Sequence, residues 1–578
     1  MDRIKSRLPP TTMLVTSMQK GCCAALLLAI ALTAHAAGSL DIVLSGGRVI
    51  DGSGGISKIE DVGLRDGRVA AIGNLSQVPT RRRINVRGLI VAPGFIDVHN
   101  HADEDVVHAE YRSAPAMIHQ GVTTAVWGVD GSLDLSAFRA LKSQLATTGV
   151  GVNYALYIGH NGLRVRELGM ADRAPTAAEL ARMKTAVRAA MDEGALGLST
   201  GLMYLPGLYA TTDEVVALAR MVAPYQGLYD SHDRDPAFHL LDSVNECLTI
   251  ARRAGIEAHV AHLKAVGIHN AGRSVDLIRL IEAARARGES VTTDVYPYDG
   301  ATTRLVAEIL VPPAGSPMER DMKIAGDPQT TEDLRAKTLA DLATEWRTWL
   351  ADPVKRRQTR ALTEQPPAGA FSWVKVVGYD SFRIIRSADA HLAGRMIVDL
   401  AAERHQSPFD VLANLLIEQG STIKVTVGAM REDDVRALLR QLWAMVSSDG
   451  REGGLAGGQG HPRYRGSFAR MLAYYVRDQH VFSLEEAVHK MSGLTAAYLK
   501  LADRGSLRVG AAADVAVFDP QAIQDRSTWD DPAPYATGMR YVFVNGVVAL
   551  EDGEPTGALA GRFLPFRNHS AEIPAATK

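Results

Sequence analysis

The sequence predicts an α/β protein: a (βα)8 TIM barrel, a small β-sandwich domain formed from both chain ends, and an inserted subdomain before the last barrel strand. Three observations carry this. Short β-rich runs alternate with amphipathic helical stretches about every thirty residues from Val91 onward. Glycine-punctuated alternating segments stand at both chain ends. A charged, helix-like stretch separates the last two β-rich runs by about 150 residues, far beyond the spacing of the others.

At the N-terminus, residues 1–36 read as a signal peptide. Lys20 precedes an apolar run from Gly21 to Ala34, and Ala34-His35-Ala36 forms a small-residue cleavage site. The segment ahead of the run is long for a charged leader, which makes Met13 or Met18 the alternative start. The run is too short to span a bilayer, so a periplasmic or secreted protein without a permanent membrane anchor is expected. Cys22 and Cys23 leave with this leader. The remaining Cys247 shares a helical face with Val244 and Ile250, which reads as a buried small apolar residue and leaves no internal disulfide. Lys and Arg total 63 against 65 Asp and Glu, without a basic block, so nucleic acid is not an expected partner.

Residues 40–92 and 505–560 form the two halves of the expected β domain. Neither half alone would bury a face, so they are expected to pair around the barrel, 93–504. Barrel strands are expected at VAPGFIDVH from Val91, VTTAVWG from Val122, VNYALYIG from Val152 and ALGLST from Ala195. Further strands are GLYDSH from Gly227, IEAHVAH from Ile256, VTTDVY from Val291 and AMVSSDG from Ala444. Helices are expected over 177–193, 213–224, 240–254 and 274–288. A doubly wound open sheet is the structural alternative. Residues 300–443 form the expected insertion, either a substrate wall or lid or a neutral surface elaboration.

In such a barrel, side chains at the C-terminal strand ends converge on one pocket. Those ends carry His99, His101, Asp130, His160, Ser199, His232, His262, Tyr296 and Asp449. His99 and His101 stand two apart and so share a face. By the same alternation His262 is expected on the face of Ala258 and Val260, and His259 on the opposite, helix-packed side as a structural residue. Four histidines (His99, His101, His232, His262) with Asp130 and Asp449 suit one or two divalent ions such as zinc.

Ten segments then carry a family resemblance: PGFIDVHNHAD, GVTTAVWGVDG, GHNGLR, GALGLSTGLMYLPG, SHDRD, AHLKAVG, DVYPYDGATTRL, SSDG, HPRYRGSFARML and GSLRVGAAADVAVFD. Together they resemble the amidohydrolase superfamily and, within it, the N-acyl-D-amino-acid deacylases (D-aminoacylases), over essentially the whole mature chain. The resemblance implies a metal-bearing TIM barrel with a small β-sandwich. It implies that His232 and His262 hold a tightly bound metal, and that His99, His101 and Asp449 line a second, weaker or absent, position. Family members usually place a bridging cysteine on the second strand. Here the turn is Gly128-Val129-Asp130-Gly131, so Asp130 stands at the thiolate's position, a harder donor that would shift metal preference. GALGLSTGL has no lysine, which separates the chain from hydantoinases and dihydroorotases.

The implied reaction is metal-dependent hydrolysis of an N-acyl-D-amino acid to a carboxylic acid and a free D-amino acid. A divalent ion polarises the carbonyl and acidifies water, and Asp449 moves the proton from water to the leaving amine. Lys264 with Tyr296 matches the family's clamp for the substrate carboxylate. Arg234 in SHDRD and Arg463 in HPRYRG are further candidates, with a structural ion pair beside a loop as the alternative reading of each. His160, His461 and Ser199 are read as pocket-shaping, and the glycine-rich 453–460 as a flexible loop beside Asp449, which lacks the Lys-Ser/Thr of a phosphate-binding loop. The expected partner is a small N-acyl amino acid or dipeptide, and the sequence leaves an oligomer open. The alternative reading is a dipeptidase for peptides with a C-terminal D-residue or unusual linkage. A non-catalytic scaffold would have lost ligands, whereas all are present.

Overall fold

Both chain ends enter one nine-stranded sheet, and the barrel lies between them in sequence. The computed structural model describes residues 39–326, 332–367, 371–453, 461–529 and 531–566; the expected signal peptide at 1–36 and residues 454–460 of the glycine-rich loop lie outside the described residues. The N-terminal strands are β1 (Leu40–Val49), β2 (Lys58–Arg65), β3 (Arg68–Gly73), β4 (Thr80–Asn85) and β5 (Ile90–Pro93). At Gly94 the chain crosses into the barrel. A Cβ there would fall 2.2–2.8 Å from Thr123 side-chain atoms, so only glycine fits.

The barrel strands are β6 (Phe95–Asp97), β7 (Val122–Trp127), β8 (Asn153–Leu156) running on through Tyr157 into β9 (Ile158–Gly159), β10 (Gly197–Gly201), β11 (Leu228–His232), β12 (Glu257–Val260) and β13 (Val291–Val295). Neighbours pair in parallel throughout. Beyond β13 come β14 (Gly300–Leu305), β15 (Phe382–Arg386) and β16 (Lys424–Gly428), a separate antiparallel sheet. The last barrel strand, β17 (Ala444–Val446), pairs in parallel with β13, and a parallel bridge between Asn100 and Gly450 links its end to the run of β6. Eight strand runs thus form the ring, in place of an open sheet.

Local sequence explains the connecting helices. Ala177–Asp192 starts at a capping box in which Thr176 and Glu179 satisfy each other's backbone N–H groups. Leu240–Ala254 stops at Gly255, whose φ of +76° suits glycine. The helix expected over 213–224 is shorter, Thr212–Ala219, and Ala223–Tyr225 forms a separate 3-10 turn around Pro224. Cys247 is buried and free within Leu240–Ala254.

The chain closes with β18 (Val515–Phe518), β19 (Met539–Val544), β20 (Val547–Glu551) and β21 (Glu554–Pro555). Antiparallel pairing of β18 with β5 joins the two halves. Side-chain alternation splits their burial: Val91, Val515 and Val517 fill the sheet's own core, whereas Ile90, Ala92, Ala516 and Phe518 pack on the barrel.

The insertion has its own core around Trp346, Phe382, Phe409, Leu412 and Val425. Its helical stretch breaks into Glu332–Leu350 and Pro353–Glu364, the second capped by Asp352. It sits on the rim: Val266 is part of that core, and the Gly267 N–H donates to the Ala429 carbonyl (2.8 Å). The expected boundary at 443 needs correction. Helix Glu432–Leu439 buries Val435, Leu438 and Leu439 in the barrel's core, so the insertion ends before it.

Candidate metal centre and active site

Barrel closure brings the first and last strand ends together. The Asp449 N–H donates to the His99 carbonyl (3.0 Å), and the His101 N–H to the Gly450 carbonyl (2.7 Å). Asn100, between the two histidines, is fixed by Trp127 Nε1 and the Ala102 N–H, which donate to its Oδ1 at 3.0 and 2.8 Å. Buried Asp97 accepts from Asn100 Nδ2 (2.9 Å) and the Ser448 N–H (3.0 Å), stapling the same two strand ends.

Asp130 occupies the tight turn after β7. Ser199 Oγ clamps that turn by donating to the Gly128 carbonyl (2.6 Å) and accepting from the Gly131 N–H (3.1 Å). His232 ends β11. His262 follows β12 and Asp449 follows β17. Three of these residues sit in the left-handed region: Asp130 at φ +54°, His262 at +33° and Asp449 at +44°. Such strain costs about 1–3 kcal/mol each and gathers at functional sites.

The two oxygens of Asp130 each face a pair of histidines. Oδ1 lies 3.6 Å from His99 Nε2 and 3.8 Å from His262 Nε2. Oδ2 lies 3.5 Å from His101 Nε2 and 3.4 Å from His232 Nδ1. Asp449 Oδ1 adds a contact of 3.3 Å to His101 Nε2. Atoms that share one tetrahedral zinc stand about 3.3 Å apart, so these spacings suit ligands around an ion better than direct hydrogen bonds. Both ring nitrogens of His99 and His232, together with Asp130 Oδ1, are buried without a hydrogen-bond partner. A divalent ion would satisfy them, and imidazole with carboxylate is a donor set zinc accepts. Among the described residues, two groups of three bring one donor atom each within 4.8 Å of one another: His99, Asp130 and His262, and His99, His101 and Asp449.

Electrostatics favours cation binding. Burial raises the Asp130 carboxyl, but the facing imidazoles of His232, His99 and His101 outweigh it and hold the group well below the usual carboxylate range. Asp449 behaves alike, with Arg463 the main stabilising charge. Burial lowers His99 and His262 and takes His232 down to about 4, which keeps these rings neutral and able to ligate. His101 is the exception: burial lowers it, yet Asp130 and Asp449 hold it well above its ordinary value.

Among the remaining candidates, Lys264 Nζ lies 2.7 Å from His262 Nδ1 and donates to the His262 carbonyl (3.0 Å). It also stands 5.6 Å from the centre of the Tyr296 ring. Arg463 grips Asp449 through Nη2 to Oδ2 and Nε to the carbonyl, both 2.9 Å, and lies over Tyr296. Arg234 requires correction as a substrate-binding residue. Its guanidinium is taken up by Glu246 and by the Leu208 and Ala210 carbonyls, so it ties the loop after β10 to the loop after β11. His160 pairs with buried Glu214 (3.0 Å), itself held by Arg164. His461 Nε2 donates to the Gly300 carbonyl, 3.0 Å away, and its Nδ1 accepts from the Arg463 N–H.

The orientation of His259 is also corrected. Ala258 and Val260 pack in the helix-facing core, while His259 contacts Thr292, Asp294 and Tyr498. Alternation holds only inside a continuous strand; β12 ends at Val260, and the left-handed turn at His262 resets the side. Two neighbours of the centre escaped the sequence reading. Tyr204 packs on His232, ring centres 4.7 Å apart, and lies inside the GALGLSTGLMYLPG segment. Asp294 accepts from the His262 N–H (2.9 Å) and is the acidic residue of DVYPY.

A parallel barrel with imidazoles and carboxylates at its C-terminal rim defines the amidohydrolase class of metal-dependent hydrolases. Residues 413–550 match the amidohydrolase family. D-aminoacylase of Alcaligenes xylosoxydans xylosoxydans is 33% identical over 546 residues, covering 91% of this chain and 97% of that protein. A D-aminoacylase structure addressing its binuclear metal centre superposes with a TM-score of 0.68 at 32% identity, over 91% of this chain and 99% of the other. N-acyl-D-glutamate deacylase from Bordetella bronchiseptica, complexed with zinc and a phosphonate mimic of the tetrahedral intermediate, gives 0.68 at 31% identity, over 91% and 100%. The chain belongs to the D-aminoacylase family of N-acyl-D-amino-acid deacylases.

Proposed function

We propose that this protein is an exported enzyme that hydrolyses the amide bond of N-acyl-D-amino acids, releasing a carboxylic acid and a free D-amino acid. One observation carries the reading: Asp130 spans four histidines beside an ionised Asp449, in a chain that aligns over 91% of its length with D-aminoacylase. His99, His101, Asp130, His232, His262 and Asp449 are the ligands for one or two divalent ions. When bound, such an ion supplies Lewis acidity toward the amide carbonyl and acidifies water. Asp449 takes the proton of the attacking water and passes it to the leaving nitrogen. Arg463 holds Asp449 Oδ2, which directs Oδ1 to that task. Lys264, with Tyr296 beside it, pairs with the substrate carboxylate.

Preference for the D-configuration is supported by the named activities of the relatives, and export by the leader at 1–36. Purified protein should contain zinc or another divalent ion and should release amino acids from N-acetyl-D-amino acids in a ninhydrin-type assay. L-substrates and dipeptides ending in a D-residue are run in parallel. Hydrolysis of L-substrates alone, of dipeptides alone, or of none overturns the deacylase reading. Mature protein from a periplasmic or culture fraction should begin at Ala37, and an intact leader overturns export.

A further inference from the structure

Beneath the metal centre, the barrel wall holds a carboxylate and an imidazole that the proposed reaction does not use. Asp294 of β13 and His259 of β12 are both fully buried. Asp294 Oδ1 accepts two hydrogen bonds, from the His262 main-chain N–H (2.9 Å) and from His259 Nε2 (2.8 Å). The Asp294 carbonyl accepts a third, from the Leu263 N–H (2.8 Å). One residue therefore holds the backbone on both sides of His262.

The backbone needs holding at that point. Past the end of β12 at Val260, the Ala261 and Leu263 N–H groups still reach main-chain carbonyls of β11 and β13, whereas the His262 N–H between them is taken by the Asp294 side chain, and left unpaired in the interior it would be costly. His262 also adopts a left-handed φ that a β-carbon disfavours, and such a conformation persists only when its surroundings over-determine it. Asp294 is itself held. His259 Nδ1 lies 2.9 Å from Thr292 Oγ1, and its ring stacks on Tyr498 at 4.7 Å between centres. The Tyr498 hydroxyl lies 2.9 Å from that of Tyr157. An unbroken set of contacts leads from this tyrosine pair to His262.

We infer that Asp294, oriented by His259, is a positioning residue of the metal centre: it fixes the His262 main chain so that Nε2 faces Asp130 Oδ1, and thereby sets affinity for the ion. The inference rests on His262 being a metal ligand, not on the identity of the substrate, and its test reads metal binding rather than turnover.

Full-length Asp294→Ala, Asp294→Asn and His259→Phe variants are titrated with zinc against a chelating dye, and their cobalt(II) forms are examined by visible spectroscopy. Metal-free melting temperatures report folding separately. Asp294→Ala and His259→Phe should weaken zinc binding about 10- to 100-fold, the usual effect of removing an outer partner of a ligating histidine, and should shift the cobalt bands. Asp294→Asn keeps an acceptor oxygen and should recover most of the affinity. A folded Asp294→Ala protein with wild-type affinity and spectrum overturns the inference, leaving a buried pair that serves folding alone. If Asp294→Ala does not fold, His259→Phe decides: it retains an aromatic ring against Tyr498, and wild-type affinity and spectrum in that variant overturn the inference equally.

Discussion

At Asp130, two carboxylate oxygens meet four imidazole nitrogens at 3.4–3.8 Å, on a left-handed turn that an unspecialised residue would avoid. The strain is tolerated because Ser199 braces the turn and because the carboxylate is the common neighbour of every histidine in the cluster. Asp130→Ala should lower the metal content of dialysed protein, measured by inductively coupled plasma mass spectrometry; unchanged content would make Asp130 a turn residue only. Asp449 differs in role. Asp449→Asn retains an oxygen toward His101 but loses basicity, so kcat should fall by about 10²–10⁴ with metal content preserved. Activity near wild type would remove Asp449 as the base.

Elements set these residues through the loops that join them. Arg234 binds two carbonyls of the loop after β10, the loop that carries Tyr204 against His232. Arg234→Ala should cost about 1–3 kcal/mol of unfolding free energy, since charge-assisted bonds to Glu246 and two carbonyls are lost; a change within error in denaturant titration contradicts this. On the other side, buried Glu452 accepts from the Ala116 and Met117 N–H groups at the start of helix Pro115–Ile118, anchoring the segment after Asp449. Burial outweighs those bonds and pushes its carboxyl up to about 8. Between the ordinary glutamate value and about 8 the folded protein holds a proton that the unfolded chain has released. Stability therefore falls as pH rises through that window. Denaturation at about pH 5 and about pH 8 should show a steeper loss in wild type than in Glu452→Gln, and equal slopes would refute the assignment.

Over the whole molecule, β5 and β18 share one sheet although more than 400 residues separate them, and their alternate side chains belong to two different cores. Phe518 is fully buried and packs on Phe95 of the barrel, ring centres 6.3 Å apart. Phe518→Ala should cost about 3–5 kcal/mol and lower the stability of sheet and barrel in one transition. Separate transitions for the two would show that the chain ends are an independent unit. The strand runs, the helices expected over 177–193 and 240–254 and the His99–His101 pair were legible in the sequence because each depends on neighbours within a few residues. The direction of His259, the loop-tying role of Arg234 and the membership of helix Glu432–Leu439 were not, since each is decided by where a strand stops or which distant surface a side chain meets. By itself the sequence determined the alternation of elements and the kinds of donor at their ends, which follow from local periodicity and chemistry. Only the tertiary structure decided that Asp130 spans four histidines, that Arg463 holds Asp449 and that Asp294 holds His262, because those contacts exist only once separate strands close into a ring.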